Sequence, residues 1–453
     1  MKKRFIIVSV ASVVLLTGIT IGAVKAINMS NIVKKYADSI YPEVAIAELD
    51  MTGKTKQEAI DILKQKYGNI ILNKKINITA LNKVYTIDYA KINAGYNLEE
   101  AVNEAVSYGK NLNTFEKYKL IKTPETKQIE LKFSYDQKPI KDFITQIQKE
   151  TDKPAVNASI SMISSGKFNV VPDRSGIKLN TEKLENDILS KINGDITGDA
   201  SITAPMDIVQ ASITADKLSK INTKVATFST SFAGSSENRA SNIILATKSI
   251  NGKVFQPGET FSFNDVVGQR TAQKGYKEAP VIVGNKLDSG LGGGICQVST
   301  TLYNAVIRAN INATERSHHT LPSHYIGLGM DATVDYGNID YKFKNTLNFP
   351  VFLEGYAQGT NLIFNIYSDK SLTNRTYDLV SETYDTTQPD TKYIDDPTMY
   401  EGQTAIDQPS SIGYKVKVYK KIYENGKLIG QELVSNESYN KVDAVVRRGT
   451  KKR

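Results

Sequence analysis

The sequence predicts an α+β multidomain chain: an N-terminal transmembrane helix, two related α+β modules, a mixed α/β domain and a C-terminal all-β module. Three observations carry this. A charge-free run from Phe5 to Val24 follows Lys2, Lys3 and Arg4. A strand-then-helix pattern occurs twice, with Gly95 and Leu98 in the first copy matching Gly176 and Leu179 in the second. Near the end, Asn425-Gly426 separates two runs that alternate apolar and polar residues. At 453 residues the chain also exceeds what one hydrophobic core organises, so several domains are expected.

The N-terminal run comes first. About 20 apolar residues span a bilayer as a helix, and a basic flank stays on the cytoplasmic side. Residues 1–28 are therefore expected to be a cytoplasmic tail and a single-pass anchor, with the body outside the membrane. A cleavable signal peptide is the alternative. Its apolar core would be shorter, and Lys25 makes cleavage after Ala26 unfavourable. The net charge of +9 and pI of about 9.1 suit an anionic partner. There is no Arg-rich helix or zinc-finger spacing, and an external body excludes nucleic acid.

The first α+β module is expected over 29–125 and the second over 126–222. Thr55 and Glu58 form a capping-box pattern, after which Ala59, Ile60 and Leu63 recur at helical spacing. The segment GYNLEEAVNEAVSYGK predicts another helix, and the second module repeats strand, turn and helix. From about Ala226 the chain becomes rich in Gly, Ser, Thr, Asn and Phe, a texture of short strands and shaped loops. This mixed domain runs over 226–368. The segment 375–453 is expected to be all-β, because an Asn-Gly pair between alternating runs is a strong hairpin signal.

Cys296 is the only cysteine and follows Gly292, Gly293 and Gly294 in GGGICQVSTT. It cannot form an intrachain disulfide. The run CQVSTTLYNAVIRAN predicts a helix with Val298, Leu302, Ala305 and Val306 on one apolar face. Cys296 would then sit near the helix start, where amide N–H groups and the dipole favour a thiolate and could hold an oxyanion. All three histidines, His318, His319 and His324, follow it closely. Histidine is the usual base or ion-pair partner of a cysteine nucleophile. Asp331, Asp335, Asp340 and Asn345 offer orienting groups, and Arg316 a bidentate carboxylate contact. The bland alternative is a cysteine buried in a core beside ordinary loop histidines. No metal is expected: HH and HxxxxH beside a proline do not present ligands from one helical face, and there is no second thiol. No cofactor is expected either. The Ser299-Thr300-Thr301 hydroxyls lack a following Ser-x-x-Lys.

The span 226–368 resembles the VanW domain. The resemblance rests on RASNIILATKSINGKVFQPGETFSFN, VGQRTAQKGYKEAPVI, GGGICQVSTTLYNAV and GMDATVDYGNIDYKFKN. The upstream repeats resemble the peptidoglycan-binding modules that precede such domains. The tail, with YIDDPTMYEGQT and its Asn-Gly hairpin, is similar to a G5-like β module. The resemblance implies a membrane-anchored cell-wall enzyme: an L,D-transpeptidase joining two diaminopimelate residues through a cysteine thioester. The Ser-His-Gly-Cys motif of the YkuD-type enzymes is missing, so this would be a separate scaffold. It implies Cys296 as nucleophile, His319 as base and Asp331 as orienter. Family members usually carry His-x-His after the Glu-Arg pair; here that reads Ser317-His318-His319. Gly293, Gly294, Gln297, Arg316, Tyr336, His318 and Asp340 are the expected substrate-side residues. Expected partners are donor and acceptor peptidoglycan tetrapeptide stems, and a carbapenem as acylating β-lactam. A non-catalytic wall-binding protein and a cysteine carboxypeptidase of wall peptides are the alternative readings.

Overall fold

A computed structural model describes residues 20–195, 197–283 and 286–452. Of the expected membrane span, Phe5 to Val24, residues 5–19 lie outside them. A helix covers residues 20–35, and among the described residues no helix is long and apolar enough to cross a membrane. The chain is a mixed α+β protein of several domains with a β-rich C-terminal region. It divides into two compact units: residues up to Ala155 with Ser175–Gln210, and Val156–Arg174 with everything from Ala211 onward.

In the first unit, Thr55 caps the helix Lys56–Leu63 with the predicted box. Its side chain accepts from the Glu58 amide, and its own amide donates to the Glu58 carboxylate at 2.8 Å. Ala59, Ile60 and Leu63 then enter a core with Ile40, Val44 and Val102. The two glycine–leucine sites behave alike. Strand Gly95–Tyr96 leads into helix Leu98–Ser107, and strand Gly176–Leu179 leads into helix Thr181–Lys191. The two copies interlock. Strand Ala200–Thr203 runs parallel to Lys75–Ala80, whose antiparallel partner is Lys83–Asp88. The core beneath combines Ile76, Ile78 and Ile87 with Ile140, Ile144, Leu184 and Ile188. A parallel pair requires a long crossover, so local periodicity carries no sign of it.

The second unit is built on a four-stranded antiparallel sheet. Its order is Thr223–Ser231, Asn361–Ser368, Val351–Gln358, Lys253–Phe255. Helices Glu237–Ile250 and Ile295–Arg308 cover it and share one apolar core that includes Ile243, Val298, Leu302, Leu353 and Phe364. The hairpin Ser159–Ser164 with Lys167–Val171 belongs here, although its sequence neighbours lie in the first unit. Phe168 sets its ring 5.1 Å from Phe352 and 5.3 Å from Tyr367. Towards the C-terminus, Arg375–Thr387, Gly413–Glu424 and Lys427–Tyr439 form an antiparallel sheet. The predicted turn closes it, with φ of 50° at Asn425 and 78° at Gly426. This sheet docks on the cysteine-bearing domain. Lys420, 3% exposed, reaches Asn310 and Asn312 at 2.9 and 3.2 Å.

Candidate active site

The triglycine turn delivers the cysteine. A Cβ on Gly293 would stand 2.6 Å from the carbonyl oxygens of Ala279 and Pro280, so only hydrogen fits. Gly294 is the helix N-cap at φ 102°, a conformation that glycine adopts without penalty. Fully buried Asn242 pins the turn. Its Nδ2 donates to the carbonyls of Lys277 at 2.8 Å and Gly293 at 3.1 Å, and its Oδ1 accepts from the Lys277 amide at 2.8 Å. Cys296 consequently occupies the first turn of helix Ile295–Arg308. The predicted apolar face of that helix is buried in the core. Its polar face is buried as well and locates the segment that follows. Ser299 Oγ donates to Ala332 O at 2.6 Å, the Ala332 amide donates to Thr300 Oγ1 at 2.9 Å, and Asn304 Nδ2 donates to Met330 O at 2.7 Å. One helix thus carries the sulfur and sets the position of Asp331.

Cys296, His319 and Asp331 form a chain of polar contacts. The Cys296 thiol donates to the Val334 carbonyl at 3.5 Å, and the His319 imidazole lines the same cavity, near enough for each group to shift the other's proton affinity. The imidazole Nδ1 donates to Asp331 Oδ2, which also accepts from the His319 amide at 2.7 Å. Nε2 is therefore the nitrogen left for sulfur. Burial alone would push the thiol up, but the hydrogen bond and charge of His319, with the Arg270 charge behind them, pull it below its ordinary value. Burial would also strip the His319 proton; hydrogen bonds to Asp331 and Cys296 reverse this and raise it to about 10. Burial would push the Asp331 carboxyl up, and the His319 hydrogen bonds hold it below the usual range instead. These contacts favour a thiolate, an imidazolium and a carboxylate over their neutral forms.

Behind Asp331 the charges continue to alternate. Arg316 Nε donates to the Asp331 carbonyl at 2.6 Å, Nη2 to Gly329 O at 2.7 Å, and Nη1 to Glu437. Tyr439 Oη donates to Asp331 Oδ1 at 3.0 Å and accepts from the Gly329 amide at 2.8 Å. Glu437 and Tyr439 come from the C-terminal sheet.

The sulfur opens onto a cavity of about 650 Å³, lined also by Arg239, Arg270, Tyr325 and Tyr336. Of the expected residues, Cys296, His319, Gly294, Gln297, His318 and Tyr336 line it. Gln297 is 1% exposed and its Nε2 is taken by Thr230 Oγ1 and Ser231 O, each at 2.9 Å. His318 Nδ1 donates to the His319 carbonyl at 2.6 Å. Three expected substrate-side residues do not line the cavity. Arg316 has its donors consumed inside the fold. Asp340 accepts from Ser262 Oγ at 2.5 Å and from the amides of Asn264 and Tyr341 at 2.9 and 2.8 Å, holding a turn. Gly293 is spent on the close approach to Ala279 and Pro280. His324 is exposed and does not line the cavity. Arg239, Arg270, Tyr325 and Tyr439 were not singled out from sequence. Arg239 and Arg270 lie within RASNII and VGQR, so the signal was on view without a chemistry attached to it.

Comparison with known proteins places three family models on the chain. "VanW like protein" matches residues 238–367, "Putative peptidoglycan binding domain" residues 85–201, and "G5 domain" residues 380–451. The uncharacterized protein YoaR of Bacillus subtilis is 37% identical over 234 residues, 51% of this chain and 75% of its own length. The vancomycin B-type resistance protein VanW of Enterococcus faecalis is 31% identical over 139 residues, 30% of this chain and 50% of its own. Among solved structures, the G5 domain of an IgA1 protease aligns with 17% of this chain and 93% of its own at 22% identity and a TM-score of 0.13.

Proposed function

The chain belongs to the family of VanW-like proteins, and from that premise we propose that it is a cell-wall L,D-transpeptidase acting through Cys296. The observation that carries this reading is the Cys296–His319–Asp331 chain, with the sulfur and the imidazole both lining one peptide-sized cavity. The thiolate attacks the carbonyl that links diaminopimelate to the terminal D-Ala of a tetrapeptide stem. The carbon–nitrogen bond breaks, and His319 gives its proton to the departing D-Ala amine. A thioester remains on Cys296. His319, now neutral, takes a proton from the side-chain amine of a second stem as that amine attacks. The thiolate leaves, and a diaminopimelate–diaminopimelate cross-link forms. Asp331 keeps the imidazole oriented and stabilises its charged form. The oxyanion that develops in each step lies at a helix start, where amide N–H groups favour negative charge.

The placement in the cell follows the same reading. Lys2, Lys3 and Arg4 stay cytoplasmic, Phe5 to Val24 anchors the chain, and the body works on the wall side, with the upstream modules holding peptidoglycan. A carbapenem would acylate the same sulfur.

The test incubates the purified external portion with a disaccharide-tetrapeptide and reads products by mass spectrometry. Cross-linked dimers and released D-Ala are expected with the wild type and absent with Cys296→Ala. Trimmed stems without dimers would make the protein a carboxypeptidase. Untouched substrate under reducing conditions would leave a wall-binding protein.

A further inference from the structure

Two arginines face the sulfur without an acid of their own. Arg308 pairs with Asp378, and Arg316 with Asp331 and Glu437. Among the described residues, neither Arg239 nor Arg270 has a carboxylate within ion-pair distance. Both line the Cys296 cavity. Arg270 is held rigidly. Its Nη1 donates to Asn264 Oδ1 at 2.7 Å, and its guanidinium carbon lies 5.6 Å from the Phe263 ring centre and 5.8 Å from that of Tyr336. Its Nη2 is buried with no hydrogen-bond partner. Arg239 donates from Nη1 to Ser235 Oγ at 2.7 Å and lies 6.0 Å from the Tyr325 ring centre. Asp335 also lines the cavity, but its Oδ2 accepts from Asn338 Nδ2 at 2.7 Å.

A half-buried guanidinium with an unused donor is costly, because charge taken from water must be paired or hydrogen-bonded. Arginine's planar fork matches a carboxylate in two parallel hydrogen bonds. We propose that Arg270 and Arg239 form a carboxylate-binding subsite beside Cys296, for a stem peptide that presents a free carboxylate near the reacting atoms. The inference rests on the reading of Cys296 as the acylated nucleophile and adds which feature of the stem the cavity selects. The carboxylate could belong to the departing D-Ala of the donor or to the diaminopimelate of the acceptor. In either case the subsite positions a reactant and takes no part in bond making.

Cys296 is the only thiol, so alkylation reports on this site alone. Iodoacetate and iodoacetamide differ in the carboxylate. Relative to the same pair reacting with a free cysteine thiolate, the wild type should favour iodoacetate by roughly tenfold or more, the factor expected of a charge-assisted hydrogen bond. Arg270→Gln should abolish most of that preference, and Arg270→Lys should retain part of it. D-alanine should slow iodoacetamide labelling of the wild type, and D-alaninamide should not. A wild-type ratio equal to that of free cysteine overturns the subsite, and this measurement needs no variant to fold. Stems then separate the sources. An amidated D-Ala terminus that slows D-Ala release assigns the donor; an amidated acceptor that lowers dimer yield without slowing release assigns the acceptor. A carboxylate preference found without any D-Ala release would leave the subsite standing and sink the transpeptidase reading. Transpeptidation with no preference at any arm would do the reverse.

Discussion

At the residue scale, the reactivity of Cys296 depends on how a half-buried thiol shares protons with a buried imidazole and a buried carboxylate. Desolvation works against every charge in the Cys296–His319–Asp331 chain, and the opposite charge beside each group outweighs it and favours the ionised form. The sulfur should therefore be reactive below the ordinary thiol range of about 8.5. His319→Gln removes its partner. At about pH 6 the variant should react with iodoacetamide at least tenfold more slowly, one pKa unit being a factor of ten. Equal rates would mean that imidazole does not ionise the thiol. The same proton contributes to stability. The folded value of His319, about 10, exceeds the ordinary value of about 6.5, so its contribution is complete below about pH 6.5 and is lost as pH rises toward 10. Urea midpoints of the wild type and His319→Gln should converge over that interval; a widening gap would contradict the assignment.

At the scale of elements, one turn and one helix carry most of the precision. The helix Ile295–Arg308 has no wasted face: its apolar side fills the core while Ser299, Thr300 and Asn304 fasten the segment that holds Asp331. The triglycine turn aims that helix. Gly293→Ala would force a methyl group against two backbone carbonyls that cannot swing aside. We expect it to destabilise the fold by about 1–3 kcal/mol, as overpacking does, and to slow Cys296 alkylation sharply. Gly430→Ala, where a Cβ meets open space and the backbone, like that of Gly293, is not left-handed, controls for the loss of glycine alone. Should both variants behave alike, the close approach at Gly293 is not what matters.

At the scale of the second unit, the C-terminal sheet is part of the site's support. Tyr439 bridges the Gly329 amide and the Asp331 carboxylate, and Glu437 neutralises Arg316 from the far side. Burial keeps the Tyr439 phenol protonated, so it remains a donor. Tyr439→Phe should cost about 1–3 kcal/mol, the penalty for a buried group left without its partner, and should shift the pH profile of Cys296 alkylation. Tyr384→Phe, which removes an exposed hydroxyl bonded to Asn436, should change neither. An unshifted profile in Tyr439→Phe would make the sheet a mere neighbour. Much of this protein is legible in the order of its residues, because caps, turns and amphipathic faces are short-range. The Thr55 box, the Asn425-Gly426 hairpin and the cysteine helix are of that kind; His319 and Asp331 are singled out only through the family resemblance, because they lie well beyond the helix that carries Cys296. What only the tertiary structure decided is non-local. It interlocked the two upstream modules through a parallel strand pair, consumed Arg316 in the interior, turned Arg239 and Arg270 toward the sulfur, and brought Tyr439 to Asp331 across 108 positions of chain. The physical reason is that a side chain's role depends on which groups surround it after the chain has folded, and no periodicity encodes a neighbour that distant.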